Sequence, residues 1–189
     1  FLSNLQANHY GKATIRRKLA VVRSFYKFLV KRGWLERNPV VRVPAPRQEK
    51  KLPKFLDHQQ VTKLLNIVPL DNWMGVRDRA LLEMLYGTGM RVSELIALNI
   101  DDIDFANKVV HIRGQGRKER VVPLRPSTLQ SVKHYLEVRE KLSAQKGNID
   151  NRILFVNRYG RRLGTRSVRR KMDKYLTMAG LDPSNSPHT

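Results

Sequence analysis

Apolar residues along this chain recur at two different periods, and the switch between them marks out its elements. From Thr14 onward, Ile15, Leu19, Val22, Phe25, Tyr26 and Leu29 return at helical spacing, and Gly33 follows Lys31 and Arg32 where a helix would end. The stretch from Asn38 to Pro53 contains Pro39, Pro44, Pro46 and Pro53 and keeps neither period, so it reads as a linker. Asp57 with Gln60 three residues on has the form of a capping box. Val61, Leu64, Leu65 and Val68 then predict a short amphipathic helix stopped by Pro69. A second helix is expected from about Val76 to Tyr86.

Beyond residue 100 the pattern becomes β-branched. Lys108 to Arg113 and Lys118 to Leu124 flank Gly114-Gln115-Gly116-Arg117, a hairpin signal, and a short strand near Ile103 to Phe105 would complete a three-stranded meander. Pro126 opens a long helix with Leu129, Val132, Leu136 and Leu142 on one side. A short strand is expected at Ile153 to Val156 and a turn at Tyr159-Gly160. A last helix, about Thr165 to Ala179, has Val168, Met172, Tyr175 and Leu176 on its apolar side and is closed by Gly180. The expected fold class is mainly α with a small antiparallel β-meander, that is α+β.

Charge narrows the function. Lys and Arg number 37 against 16 Asp and Glu, a formal charge of +21, so the compact chain repels itself unless a polyanion is bound. Nucleic acid is the leading partner. No apolar run approaches the roughly 18 residues of a spanning helix, and no signal peptide is seen, so no membrane partner is expected. The chain has no Cys, which excludes disulfides and thiolate chemistry, and its five His show no metal-binding spacing. Phe1 at the start and the Ser186-Pro187-His188-Thr189 ending lead to the expectation of a fragment.

Three places could carry chemistry. Gly87-Thr88-Gly89-Met90-Arg91-Val92-Ser93-Glu94-Leu95 puts a glycine-rich turn before a short helix, with Arg91 in its first turn. A cation is disfavoured there unless it and the helix N-terminus address one anion, for which a phosphate is the obvious candidate. A surface pair between Arg91 and Glu94 without function is the alternative. Lys118 flanks the hairpin tip beside Arg117 and Arg120. It could touch phosphate or protonate a leaving oxygen, or be a solvated charge. His188 could act as acid, base or phosphate donor. Elsewhere Arg16, Arg23 and Lys27 form one row on the first long helix, and it either follows a phosphate backbone or is solvated.

Taken together, Leu85-Tyr86-Gly87-Thr88-Gly89-Met90-Arg91-Val92-Ser93-Glu94-Leu95, the Gly114-Gln115-Gly116-Arg117-Lys118-Glu119-Arg120-Val121-Val122-Pro123-Leu124 hairpin and Ser186-Pro187-His188 closely resemble the tyrosine recombinase or phage integrase family, Xer-like branch. The Arg77-Asp78-Arg79-Ala80-Leu81-Leu82-Glu83 helix and the Thr14-Ile15-Arg16-Arg17 helix with its Asn38-Pro39 ending are similar to that family's catalytic and core-binding domains. The resemblance implies residues 1–43 as the C-terminal part of a helical, SAM-like core-binding domain, 44–54 as linker, and 55–189 as the N-terminal part of a catalytic domain, truncated.

By the same resemblance Arg91 is the first catalytic arginine, Lys118 protonates the departing 5′ oxygen and His188 opens a His-x-x-Arg motif. Thr14 and Arg17 join Arg16, Arg23 and Lys27 in facing DNA, as do Arg117, Arg120, Arg166 and Arg169. A tyrosine attacks the phosphate to give a 3′-phosphotyrosyl link that conserves the bond energy, so no cofactor is implied. The implied partners are a double-stranded recombination site and, in the intact form, a homo- or hetero-tetramer of recombinase subunits on DNA, in the cytoplasm at the nucleoid. Gln115 departs from the family, which often has Lys there. All six tyrosines precede His188, so none matches the nucleophile, and this chain is expected to bind DNA without cutting it. A non-catalytic DNA-binding module or regulator of such sites is the alternative. An RNA-binding protein is disfavoured by the 7% aromatic content and the lack of an RNP-like run.

Overall fold

The computed structural model describes residues 2–47, 55–114, 119–146, 149–183 and 185. Its contacts separate two compact units, Phe1–Leu52 and Pro53–Thr189. In the first, α1 (Leu2–Ala7) packs on α2 (Lys12–Lys31). The chain turns between them at His9, whose φ is 54°, and Leu5, Ile15 and Leu19 are buried. α2 stops where expected, with Gly33 at φ 72°. Only part of its predicted apolar row is covered, because Phe25 lies exposed together with Val21 and Phe28. Asn38 fastens the segment after α2, its amide donating to the Arg23 carbonyl at 3.3 Å and its Oδ1 accepting from the Val40 N–H at 3.0 Å.

The second unit holds a continuous core. α3 (His58–Asn66) carries the complete capping box, the Gln60 N–H donating to Asp57 at 2.8 Å and the Asp57 N–H to Gln60 at 3.1 Å. α4 (Trp73–Thr88) is longer than the pattern predicted, because Asn72 caps it upstream by accepting the Gly75 N–H at 3.0 Å. It is buried nearly all round and packs on α6 (Pro126–Lys146). Gly87 permits that crossing, since a Cβ there would stand 2.7 Å from Thr128 Oγ1. Between these helices come α5 (Val92–Ala97), a 3-10 turn and the meander β1 (Ile103–Asp104), β2 (Val109–Arg113) and β3 (Glu119–Pro123), antiparallel in that order. α7 (Thr165–Met178) closes the unit with its predicted apolar side inward and Gly180 at φ 64°. The architecture is mainly helical with one small antiparallel sheet, as the pattern implies.

One predicted element is absent. Ile153, Leu154, Phe155 and Val156 are buried, but the segment forms only isolated bridges, Asn99 with Ile153 and Val156 with Arg162. The reason lies in the arginines that reach its backbone. Arg139 donates to the Ile153 and Leu154 carbonyls, at 2.5 and 3.3 Å, and Arg77 donates to that of Val156 at 2.9 Å. Side chains thus satisfy the acceptors that a neighbouring strand would have taken.

Arg77 and Asp78 form a buried hub that the apolar pattern did not show. The Arg77 guanidinium grips Asp78 Oδ1 at 2.9 and 2.7 Å, while Oδ2 accepts from Lys171 at 2.6 Å and from the Tyr175 hydroxyl at 2.8 Å. The carboxylate thereby ties α4 to α7. Burial, and then the neighbouring carboxylate, push the Tyr175 phenol well above its ordinary range.

Candidate phosphate site and nucleic-acid interface

The turn from α4 into α5 is built to present Arg91. Gly89 caps α4 in the left-handed region at φ 60°, where a side chain would be strained. Thr88 Oγ1 donates to the Met84 carbonyl at 2.6 Å and accepts the Met90 N–H at 3.3 Å, and Met90 is buried. Anchored on both sides, the chain delivers Arg91 to the N-cap of α5, one position earlier than the first helical turn.

Glu94 organises the cations around this helix start. Its carboxylate is 7% exposed and accepts four hydrogen bonds: the Arg91 backbone N–H at 2.8 Å, Arg91 Nη1 at 3.2 Å, and Arg120 Nη1 and Nη2 at 2.9 and 2.8 Å. These use the acceptor capacity of the carboxylate. The Arg120 side chain, followed by the Arg91 N–H, holds the Glu94 carboxyl down at about 2 against the opposing effect of burial, and Arg120 is raised in turn. Arg91 gives Glu94 a single side-chain bond. With 71% of its side chain exposed, it makes no other side-chain hydrogen bond among the described residues.

An open cleft of about 910 Å³ lies over this group, lined by Arg91, Ser93, Glu94, Ala97, Arg113, Gly114, Glu119 and Arg120. Arg113 at its edge pairs loosely with Asp102 and Glu119, each at 3.5 Å. Three guanidiniums therefore line a concave surface that opens to solvent. Net of Glu94 and Glu119 that surface keeps a positive charge, and Arg91 is its guanidinium least committed to a carboxylate, suited to an anionic oxygen such as that of a phosphate.

Among the residues read from sequence, the fold brings together Arg91 and Arg120 through Glu94. Arg120 is not a free contact at the hairpin flank, since both of its terminal nitrogens are engaged. Strand parity explains this: Arg120 pairs with Ile112, which is fully buried, and so shares the inward face of the ribbon. Arg166 and Arg169 stand exposed on α7. In the first unit, Thr14, Arg16, Arg17 and Lys27 lie along α2, with Thr14 half-buried and the others exposed. Arg16 donates to the Pro46 carbonyl at 3.3 Å, and the half-buried Arg23 donates to that of Val43, so these two cations of the row brace the segment after α2. Lys118, Arg117 and His188 lie outside the described residues. Glu94 and Arg113 escaped the sequence reading as site residues, although the three-residue spacing from Arg91 to Glu94 is that of a helix cap.

The second unit thus presents an arginine at a helix start next to a β-ribbon that supplies two more, Arg113 and Arg120. Residues 54–189 match the phage integrase family and residues 1–33 match the phage integrase N-terminal SAM-like domain; the chain belongs to this family. It is 41% identical over 188 residues to "Tyrosine recombinase XerC" of Chlamydia muridarum (strain MoPn / Nigg), covering 100% of this chain and 58% of the relative. It is 40% identical to "Tyrosine recombinase XerC" of Syntrophus aciditrophicus (strain SB), covering 100% and 62%. The chain thus spans about three fifths of the length of these relatives. Among solved structures, the Tn1549 transposon integrase in complex with circular intermediate DNA superposes with a TM-score of 0.73 at 20% identity, over 99% of this chain and 66% of that one. The XerH site-specific recombinase bound to its difH substrate gives 0.62 at 27% identity, over 73% and 40%.

Proposed function

We propose that the chain binds a duplex recombination site and that its second unit holds the scissile phosphate on Arg91 for strand cleavage and rejoining through a 3′-phosphotyrosyl link. The observation that carries this reading is the arrangement around Glu94, which fixes Arg91 at the rim of a basic cleft while leaving most of its donors free. Positioning and neutralising charge on the phosphate oxygens would then be the main work of these residues. The names of the XerC relatives, and the XerH complex with its difH substrate, support the reading of duplex DNA as the partner.

Within the same reading Lys118 supplies a proton to the 5′ oxygen, and His188 begins the motif of a second arginine. The nucleophilic tyrosine is none of the six here. Two of them are already committed to the core: Tyr135 is buried and accepts the Val156 N–H at 3.3 Å, and Tyr175 donates to Asp78. Residues 1–43 clamp DNA through α2, and α7 adds Arg166 and Arg169. In the intact protein, subunits act as a tetramer on two duplexes at the nucleoid.

Arg91→Ala in the full gene product tests the central assignment, with SDS-resistant adducts scored on nicked duplexes carrying its site. Adduct formation is expected to fall by about two orders of magnitude or more. Site affinity should stay within roughly tenfold, because one phosphate contact among many is lost. Collapse of binding together with cleavage would make Arg91 a structural residue. Wild-type binding with no adduct would favour a regulator that occupies the site.

A further inference from the structure

Glu94 poses a problem for the residue it holds. A buried carboxylate within reach of an exposed guanidinium ordinarily forms a two-pronged pair with it, and such a pair would neutralise Arg91 and consume the edge that a phosphate needs. The structure shows the opposite distribution. Arg120 takes the two-pronged contact at 2.9 and 2.8 Å, and Arg91 is left with one longer side-chain bond at 3.2 Å. Arg120 comes from β3, on the far side of the cleft, where ladder pairing with Ile112 points it inward. Two cations thus share one anion, and the shared group keeps a net positive charge facing the cleft.

We propose that Arg120 is a positioning residue that acts by occupying Glu94, so that Glu94 orients Arg91 without capturing it. The role rests on the phosphate-gripping function proposed for Arg91. It gives the carboxylate two jobs at once: the Arg91 N–H fixes the start of α5, and the divided side-chain bonding sets how much of the guanidinium remains available. It also links the β-ribbon to the arginine mechanically, since displacement of β3 would withdraw Arg120 and release Glu94 onto Arg91.

The test is the reactivity of Arg91 toward phenylglyoxal, followed by peptide mass spectrometry on this chain without DNA. In Arg120→Ala, modification of Arg91 is expected to slow by roughly three- to tenfold as Glu94 closes on it. Adding Glu94→Gln to Arg120→Ala should restore the wild-type rate, because the charge that captures Arg91 is gone. Arg120→Lys, which keeps the charge but not the fork, should fall between and serves if the alanine variant does not fold. An unchanged or faster rate in Arg120→Ala, or failure of Glu94→Gln to restore it, overturns the proposal. Adduct assays on the full gene product separate the two layers. If reactivity follows the predicted order but Arg91→Ala still forms adducts, the positioning stands and the phosphate role of Arg91 falls.

Discussion

A carboxylate that accepts four hydrogen bonds, three of them from guanidinium nitrogens, is a stronger acid in the folded state than when unfolded. Glu94 sits at about 2 when folded, against 4.5 for an unperturbed glutamate. Because its folded value is depressed, its contribution to stability is complete above about pH 4.5 and is lost as the pH falls toward 2. With Arg120 partly exposed, that contribution is on the order of 2 kcal/mol at neutral pH. Thermal unfolding followed from about pH 6 to about pH 2 should show a steep loss that Glu94→Gln makes shallower. The flattening should be partial. Asp104 and Asp150 are also lowered, chiefly by the backbone N–H groups of Asn107 and Arg152, and they too favour the folded state less as acid protonates them. An equally steep loss in the variant would place the acid sensitivity elsewhere.

Among the elements, α4 is tied to α7 by polar contacts through Asp78, which Lys171 and Tyr175 both reach. Asp78→Ala would leave the Arg77 guanidinium, 1% exposed, with a single carbonyl partner and no counter-charge. A loss of about 3–5 kcal/mol is expected in urea unfolding. A loss under about 1 kcal/mol would mean that water enters and solvates the hub. This junction also marks where the sequence stops being informative. Helical periods, the Asp57 and Gln60 cap and the glycines after α2 and α7 locate their elements, because each is decided by neighbours within a turn or two. The fate of Ile153 to Val156 is not, since arginines 14 and 79 residues away decide it. The candidate site divides the same way. Arg91 is legible from its glycine-rich turn, whereas the tie between Glu94 and Arg120 spans 26 residues and emerges only when the ribbon folds over α5.

For the whole molecule, a formal charge of +21 sets the expectations for DNA binding. The affinity for duplex DNA should fall linearly on a log–log plot against salt, with a slope of about −0.9 per phosphate neutralised. Arg166→Ala and Arg169→Ala are each expected to make that slope shallower by about one and to weaken all sequences alike, as measured by fluorescence anisotropy on two unrelated duplexes. A loss confined to one duplex would instead assign the residue to base reading. No helix among the described residues is long and apolar enough to cross a membrane.

The buried arginines that reach the carbonyls of Ile153, Leu154 and Val156 have one more consequence, for how the protein behaves in a crowded cell. A β-rich apolar run with vacant backbone acceptors is a template on which other chains can add a strand, the first step toward aggregates. Here the acceptors are closed from inside by side chains that carry charge. Any chain that tried to pair with this run would first have to strip it of cations and leave them without partners, so the folded state guards these acceptors with its own side chains.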